Sequence, residues 1–480
     1  MSMYGIVIDP QSRQSQYQQL VDQIRHRIHE GKLVGRLRLA STRDLAQSLG
    51  LARSVVLEAI DQLKMEGYLE TRQGSGTYVG QELVWSGSSR RTLERGTGFE
   101  SLPSAESKSS SLSFAPGMPD LSLFPKRSWT KCYQAAVEYA SESELGYTSP
   151  SGRNDLRMAL ARHLFVARGM TVEPESIVIT AGSSQAISIL TQTFRNCRVL
   201  MEDPQAPFIR RIFQGLNCNI EYAPADEKGL LCEALPRRQF DLIYVTPAHQ
   251  FPLGGTLAAD RRIQLLNYAR EHGSWIIEDD YDSEFRYDHR PVSPLQTMAP
   301  ERVIYVGTFS KNLSPALRLG FMVMPKGLMA KVKSLKLRWD LWTESLQQKT
   351  LAIFMTEGYL DRHIRRALQA YRKKNVALLR MLEQQLPTWE ILGASTGMHL
   401  VIRPTSGGPL RSSLSDVSEQ LFRRGFLVEL VTLYCQMKPA FADGLILAYG
   451  NRTFEQLESV VEALASVAQH EFQRRDHTPR

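Results

Sequence analysis

Three short segments of the chain carry side chains that could bind a small ligand and react with it. They contain a lysine amine, which is a nucleophile when neutral, several carboxylates, and a glycine–serine turn that opens a predicted helix. The segments are Thr180 to Gln185, Ile277 to Tyr281 and Thr308 to Lys311, and each lies at the carboxyl end of a predicted strand. In open α/β sheets, ligands bind just beyond the carboxyl ends of the strands. We therefore expect the three segments to meet at one site.

The elements that must position these segments alternate between strands and helices, which is typical of a mainly parallel sheet covered on both faces. Amphipathic helices dominate from Leu328 onward, and the last part of the chain is predicted to form a smaller α+β lobe. Strands are predicted at Ser176–Thr180, Arg198–Glu202, Asp241–Thr246, Ser274–Glu278, Arg302–Gly307 and Leu319–Met324, with helices around 184–195, 260–272, 415–424 and 454–475.

The N-terminal part of the chain follows a different pattern. Apolar residues recur at helical spacing in three successive segments, and two short strands follow them. This order predicts a winged helix-turn-helix, an α+β fold. The helices are expected to end at Gly31, Gly50 and Gly67, and strands at 68–71 and 77–79 flank a glycine-rich turn.

A change in composition separates these two parts. Residues 81–113 are rich in serine, glycine and charge and have no apolar period, which indicates a flexible linker. The predicted organisation is therefore a winged helix-turn-helix at 1–80, a linker at 81–113 and an α/β body at 114–480.

The N-terminal segments from Leu39 to Leu69 resemble the GntR family of winged-helix regulators, and Arg72 to Val79 resembles its wing closely. A recognition helix reads the major groove with its first residues. The resemblance therefore implies double-stranded DNA as a partner, bound at operator half-sites. The expected DNA contacts are Arg53, Ser54 and Val55 at base edges, Arg43 at phosphate, and Arg72 with Gly74 in the adjacent minor groove.

Residues 114–475 resemble the fold-type I aminotransferases, which bind pyridoxal 5′-phosphate (PLP). Together with the GntR-like head, this resembles the MocR subgroup of bacterial transcription regulators. The resemblance implies that Lys311 forms a Schiff base with PLP, Asp279 keeps the ring nitrogen protonated and Tyr281 bonds the ring oxygen O3′. It also implies that the phosphate is bound by Ser183, Ser184, Thr308 and Arg318. In a homodimer, Tyr147 would reach the phosphate bound by the partner subunit.

The chain also departs from the aminotransferase pattern on the ring side of the expected site. The usual Asn-Pro-Thr-Gly is replaced by the segment from Pro247 to Gly254, so the asparagine that would bond O3′ is missing. Either His249 or Gln250 could replace it. The aromatic residue that stacks on the ring is replaced by Ala206, and Phe208 is the available substitute.

A second departure concerns the substrate. Active relatives place an arginine near Ile446 to hold the α-carboxylate of an amino acid, and here neither that position nor Val428 to Val431 has one. Without a bidentate cation the carboxylate is poorly fixed. We therefore expect little or no complete transamination, although Arg403 could reach the site from the small lobe.

Composition excludes several other classes of protein. The chain has 480 residues, is 42% hydrophobic and carries a net charge of +8, but its first 80 residues hold ten Lys and Arg against eight Asp and Glu. Charge alone therefore does not locate DNA binding. Five scattered cysteines without a CxxC pair argue against a metal site and for a reducing compartment. With no apolar span or secretory pattern, a cytoplasmic protein with no membrane partner is expected.

Three functions fit these observations. The first is a transcription regulator whose aminotransferase-like domain senses PLP or an adduct of PLP with an amine or amino acid. The second is an active aminotransferase with an autoregulatory DNA-binding head, and the third keeps the domain only for dimerisation. The missing arginine favours the first.

Overall fold

The computed structural model describes residues 3–12, 14–72, 75–80, 111–287, 292–405, 413–437 and 444–473, with side chains in the last helix described to Ala468. The chain divides into two compact units, Met1–Ser107 and Lys108–Arg480. Most of the predicted linker lies outside the described residues. Its last two residues, Leu112 and Ser113, form a short strand of the second unit.

The first unit is the predicted winged helix-turn-helix. Ser15 and Ser41 cap the first two helices through their side chains, and Gly50 ends the second at φ +65°. The apolar faces of the helices enclose one buried core that also includes Leu69 and Val79 of the wing. The elements are α1 (Gln16–His29), α2 (Thr42–Leu49), α3 (Arg53–Met65), and the antiparallel strands β1 (Leu69–Arg72) and β2 (Gly76–Val79).

The second unit is built on an eight-stranded mixed sheet in the order β4-β11-β10-β9-β8-β5-β6-β7. Four neighbouring pairs are parallel, whereas β11 runs antiparallel to both of its neighbours. The sheet is thus mainly parallel, as expected, and the sequence did not reveal β6 or β7. The strands are β4 (Ile177–Thr180), β5 (Arg198–Asp203), β6 (Asn219–Asp226), β7 (Gly229–Leu230), β8 (Leu242–Val245), β9 (Trp275–Asp280), β10 (Val303–Thr308) and β11 (Gly320–Val323).

Helices cover both faces of this sheet, and its central strands are therefore buried along their whole length. One apolar cluster packs α7 and α8 on the sheet, another packs α9 there, and a third joins α6 and α12 to the β4 edge. The helices are α4 (Lys126–Glu138), α5 (Glu142–Leu145), α6 (Asn154–Arg168), α7 (Ser183–Gln192), α8 (Pro207–Gly215), α9 (Ala259–Glu271), α10 (Leu295–Met298), α11 (Lys326–Asp340), α12 (Ser345–Thr356) and α13 (Tyr359–Gln385).

The small lobe has its own four-stranded antiparallel sheet in the order β12-β13-β16-β15 and a separate core. The short strand β3 pairs in parallel with β14, which fixes the start of the second unit to this lobe. Within the described residues, no helix is long and apolar enough to span a membrane. The elements are β3 (Leu112–Ser113), β12 (Trp389–Leu392), β13 (His399–Pro404), α14 (Leu414–Arg423), β14 (Phe426–Leu427), β15 (Glu429–Leu430), β16 (Leu445–Ala448) and α15 (Phe454–Gln473).

Candidate functional site

Strand register brings the three predicted segments to one edge of the large sheet. Thr180 pairs with Gly320, and Gly320 pairs with Thr308 on the next strand. Asp280 lies beside Gly307, one strand further along. The ends of β4, β10 and β9 therefore lie at the same edge of the sheet, with the start of β11 between those of β4 and β10, as the sequence led us to expect.

The turn before α7 has the geometry of an anion site. Gly182 precedes the helix at φ +87°, a conformation that favours glycine, and Ser183 and Ser184 are its first two residues. The first N–H groups of a helix have no acceptor within the helix. Arg318 donates to the Ala181 carbonyl at 2.6 Å, so a cation and helix N–H groups share this turn. Thr308 ends β10, which is separated from β4 by β11 alone.

Lys311 lies in the loop after β10, and its ammonium donates to the carbonyl of Gly117. Burial lowers the pKa of Lys311, while the carboxylates of Asp282 and Asp279 oppose that shift. A lowered pKa increases the fraction of neutral amine, which is the nucleophilic form. Lys311 is thus a buried lysine at the centre of the three segments, and its Schiff base with PLP stays a prediction.

Asp279 is held at the end of β9 by Tyr244, whose hydroxyl donates to its Oδ2 at 2.5 Å. Its Oδ1 is buried and has no hydrogen-bond partner among the described residues. Burial raises the pKa of Asp279 to about 6, so that the carboxyl is mostly ionised at neutral pH. A buried carboxylate oxygen without a donor is ready to accept from a ligand, preferably a cationic one.

Tyr281 contacts His249, a residue of the loop after β8. The Tyr281 hydroxyl lies 3.0 Å from both Nδ1 and the carbonyl oxygen of His249. Gln250 instead donates through its side-chain amide to the carbonyl of Pro204, which follows β5, and to the carbonyl of its own neighbour Phe251, each at 2.8 Å. Of the two substitutes considered from the sequence, His249 is therefore the one placed next to Tyr281.

The imidazole of His249 is oriented by Asp282, whose Oδ1 lies 2.8 Å from Nδ1. The two remaining polar atoms, Nε2 of His249 and Oδ2 of Asp282, are buried and have no partner among the described residues. His399 lies next to them, with ring centroids 5.1 Å apart, and bonds the Pro252 carbonyl. Burial lowers the pKa of His399 to about 3, so this ring is neutral.

His249, Asp282 and His399 also offer three possible metal-ligand atoms within 4.8 Å of one another. The hydrogen bonds of His249 to Asp282 and of His399 to the Pro252 carbonyl explain the orientations of both imidazole rings without an ion. The absence of a metal site therefore stays a prediction.

The aromatic environment differs from the one expected. Phe208 is 47% exposed on α8 and makes no ring contact with the described aromatic residues, and Ala206 caps the same helix. Phe251 instead packs edge-on against Tyr281 at 5.9 Å and against Tyr434 at 5.4 Å. Sequence reasoning missed Phe251 because a phenylalanine in a proline-rich loop has no distinctive spacing.

The small lobe has an apolar residue and a carboxylate where an arginine was sought. Ile446 is fully buried, and its cross-strand neighbour is Glu429, which accepts a hydrogen bond from Tyr434. Arg403 contacts Glu390 on the adjacent strand at 2.7 Å. The structure therefore places Arg403 in an ion pair of the small lobe's own sheet.

A buried network supports the β9 end from below. The guanidinium of Arg168 lies 2.7 Å from Asp280, and the Tyr305 hydroxyl donates to the same carboxylate at 2.6 Å. Both side chains of the ion pair are almost fully buried. Sequence reasoning also missed Tyr244 and Asp282; only the position of Asp282 directly after Tyr281 could have indicated its role.

Tyr147, which the family resemblance assigns to the phosphate of a partner subunit, lies on the surface of the second unit. Its side chain is 87% exposed and meets Trp342 edge-on at 4.9 Å. An exposed aromatic residue at this place is compatible with a role toward a second subunit, and that role stays a prediction.

In the first unit the predicted DNA-contact residues lie on accessible surface. Arg43, Arg53 and Ser54 are exposed near the starts of α2 and α3, and Val55 is half-buried. Arg72 pairs with Glu70 at 2.7 Å and lies over the Tyr78 ring at 4.7 Å. Gly74 lies outside the described residues. The contacts themselves stay predictions.

Comparison with protein-family models assigns both units. Residues 16–79 match the model for bacterial regulatory proteins of the gntR family, and residues 122–468 match the aminotransferase class I and II model. A multiple substrate aminotransferase from Thermococcus profundus has a similar structure, with a TM-score of 0.68 and 26% identity over 77% of this chain and 93% of that one.

Relatives with both kinds of domain are similar over most of their length. The probable rhizopine catabolism regulatory protein MocR of Rhizobium meliloti is 32% identical over 83% of this chain and 84% of the relative. The HTH-type pyridoxine biosynthesis transcriptional regulator PdxR of Corynebacterium glutamicum is 33% identical over 83% of this chain and 85% of the relative. The chain therefore belongs to the MocR-type transcription regulators, in which a GntR-family DNA-binding head is joined to an aminotransferase-like domain.

Proposed function

We propose that this regulator senses PLP, or an adduct of PLP with an amine or amino acid, through the site around Lys311 and transmits the result to its DNA-binding head. The observation that carries the proposal is the buried Lys311 amine beside an unpartnered Asp279 oxygen, in a chain that also has a winged helix. PLP, when bound, supplies an aldehyde that reacts reversibly with amines.

The residues around Lys311 fit this cofactor at both ends. At the proposed phosphate end, the N–H groups at the start of α7, Thr308 and Arg318 would neutralise and hydrogen-bond the phosphate. At the proposed ring end, Oδ1 of Asp279 would accept from a protonated ring nitrogen, and Tyr281 beside His249 would face the ring oxygen. The buried Oδ1 of Asp279 supports the fit, because it has no hydrogen-bond donor among the described residues and a protonated ring nitrogen would supply one.

The effector response is proposed to operate through the two lobes. His249 and Asp282 belong to the large lobe and His399 to the small lobe, so a ligand at this point touches both. A ligand shifts a protein between two arrangements only by binding one of them better. We infer that the effector does so here, in a cytoplasmic homodimer whose two heads bind paired operator half-sites.

Full transamination is not part of this proposal. Holding a substrate in a reactive geometry is a large part of such catalysis, and the described small lobe has Ile446 and Glu429 at the place where an amino acid's carboxylate would be fixed. The domain is therefore proposed to bind amines without completing the exchange of amino groups.

The test is the Lys311→Ala variant, with Lys331→Ala on the exposed face of α11 as the control. We expect Lys311→Ala to lose the visible absorbance of attached PLP and the effector response at a promoter, while its affinity for operator DNA stays within about twofold. A promoter response unchanged in Lys311→Ala would refute the proposal. Steady-state turnover by the unmodified protein across an amino-acid panel would favour an active aminotransferase instead.

A further inference from the structure

Much of the chain's positive charge lies on one helix of the body. The whole chain has a net charge of +8. Helix α13 (Tyr359–Gln385) alone has seven Lys and Arg against two Asp and Glu. A charged helix face is usually just solvated, so its cations need to be sorted by what they contact.

Several of these cations have structural partners. Lys374 is mostly buried and contacts Asp120 and the Gly450 carbonyl, each at 2.8 Å. Arg366 donates to the Leu123 carbonyl, and Arg362 donates to the Glu357 carbonyl and lies over the Tyr359 ring. These side chains anchor α13 within the second unit.

Of the other four cations, Arg365 lowers the pKa of Asp361 on the same helix, and three have no such partner. Arg372, Lys373 and Arg380 are exposed and make no hydrogen bond or ion pair with any residue that the structure describes. They line a shallow groove along α13, with Val376 and the first residue of α15, Phe454, in its floor. Cations without counter-charges on one face repel each other slightly and gain nothing within the fold. Their arrangement is therefore suited to an external polyanion.

The spacing of these side chains fits an extended anion better than a compact one. From Arg372 to Arg380 the helix rises roughly 12 Å, at about 1.5 Å per residue. Double-stranded DNA offers phosphates on each strand about every 3.4 Å along its axis. A single small anion could meet only one end of this row, whereas a duplex backbone could meet all three cations.

We propose that Arg372, Lys373 and Arg380 form a second DNA-contacting surface, which binds the phosphate backbone of operator DNA outside the sequence read by the winged helix. The partner is double-stranded DNA because this chain already binds it through its head, and because the surface carries charge without base-reading groups. Backbone contacts add affinity and orientation without sequence preference. Most of the net charge of +8 lies outside the head, and this surface would give part of that charge a function in DNA binding.

The salt dependence of binding tests this surface. Each phosphate contact contributes about 0.9 to the slope of log affinity against log salt. In the full-length PLP-bound protein we expect Arg372→Gln/Lys373→Gln/Arg380→Gln to reduce that slope by about 2.7 on a long operator fragment, and to reduce affinity about tenfold. On a short duplex that covers only the head's half-sites, we expect the same variant to bind like the unmodified protein.

The control removes the same amount of charge elsewhere. Lys228→Gln/Arg270→Gln/Arg423→Gln changes three exposed cations on other helices and loops, two of which are already in ion pairs. Its slope on the long fragment should match that of the unmodified protein. Equal losses in both variants would overturn the proposal, since they would reflect bulk charge only.

Two further measurements keep the proposal open to refutation. Should the triple variant be unstable, Arg380→Gln alone should still reduce the slope by about 1 on the long fragment. An unchanged slope in that single variant would overturn the proposal. So would a variant that loses binding to vesicles of anionic lipid while its DNA slope stays intact, because that result would assign the surface to a membrane.

Discussion

The two ends of the proposed cofactor site are built in different ways. The phosphate end uses groups from two short stretches of chain: the turn before α7, and the loop from Thr308 to Arg318. The ring end is assembled from side chains far apart in sequence, including Tyr244, His249 and Asp282. At the first end the proposed phosphate groups are close in sequence, whereas at the second His249 lies beside Tyr281, where the family resemblance predicts an asparagine. We therefore propose that the ring end, rather than the phosphate end, distinguishes this site from that of an aminotransferase.

The largest loss of PLP affinity is expected from Asp279→Asn, because Asp279 is the proposed acceptor for the protonated ring nitrogen. Replacing a buried carboxylate that accepts from a cation should weaken PLP affinity about 100-fold. The measurement is a fluorescence or absorbance titration of the PLP-free protein. Stability should not fall, because the pKa of Asp279 is raised by burial and its ionised form is therefore costly in the folded state.

This prediction also has a pH dependence with a definite sign. Since the pKa of Asp279 in the fold is about 6, lowering the pH through 6 protonates the carboxyl and removes the acceptor for a cationic ring nitrogen. PLP affinity of the unmodified protein should fall as pH drops from about 7 to 5. The Asp279→Asn protein should lack the part of this fall that is centred near 6; an identical profile in both would contradict the assigned role.

A smaller effect is expected at the phosphate end, from Arg318→Gln. One cation among several donors is lost, and a hydrogen bond to a charged group contributes roughly 2 kcal/mol, which corresponds to about 30-fold in PLP affinity. Arg338→Gln, on the exposed face of α11, is the control and should have no effect. A loss at Arg318 larger than that at Asp279 would reverse the comparison between the two ends.

How far the sequence predicts each end follows from the same difference. That the segments containing Ser183, Ser184, Thr308 and Arg318 lie at one edge of the sheet could be predicted, because segments at the carboxyl ends of strands in an open α/β sheet meet there. Their binding of a phosphate was implied by the family resemblance and stays a prediction. The Tyr244–Asp279 bond could not, because a tyrosine inside a buried strand has the same pattern as an ordinary core residue. The helical and strand patterns also predicted the winged helix and most of the large sheet, but β6 and β7 were missed.

The choice between His249 and Gln250 shows where sequence reasoning stops. The two residues are adjacent and both can donate a hydrogen bond, so only backbone direction decides which faces Tyr281. The structure decides it by engaging Gln250 with the Pro204 and Phe251 carbonyls. Long-range packing of this kind cannot be read from residue type.

His249→Gln should therefore have a moderate effect that is confined to the ring end. We expect PLP affinity to fall less than tenfold, because Tyr281 and Asp279 remain. The pH at which the bound cofactor changes colour should shift by more than half a unit, since the imidazole beside Tyr281 is lost. His26→Gln on exposed α1 is the control. A shift of equal size in the control would show that the imidazole beside Tyr281 is not responsible.

The smallest effect is expected from Arg403→Gln, which tests whether Arg403 binds the carboxylate of an amino acid. Arg403 pairs with Glu390 across β12 and β13, and exposed ion pairs contribute only about 0–1 kcal/mol to stability. If the effector response does not use Arg403, this variant should keep both PLP affinity and the promoter response within about twofold. If the response to an amino acid disappears while PLP affinity is unchanged, the small lobe supplies its carboxylate contact through Arg403 after all. The ring end would then differ from aminotransferases in the position of its arginine rather than in the kind of ligand it binds.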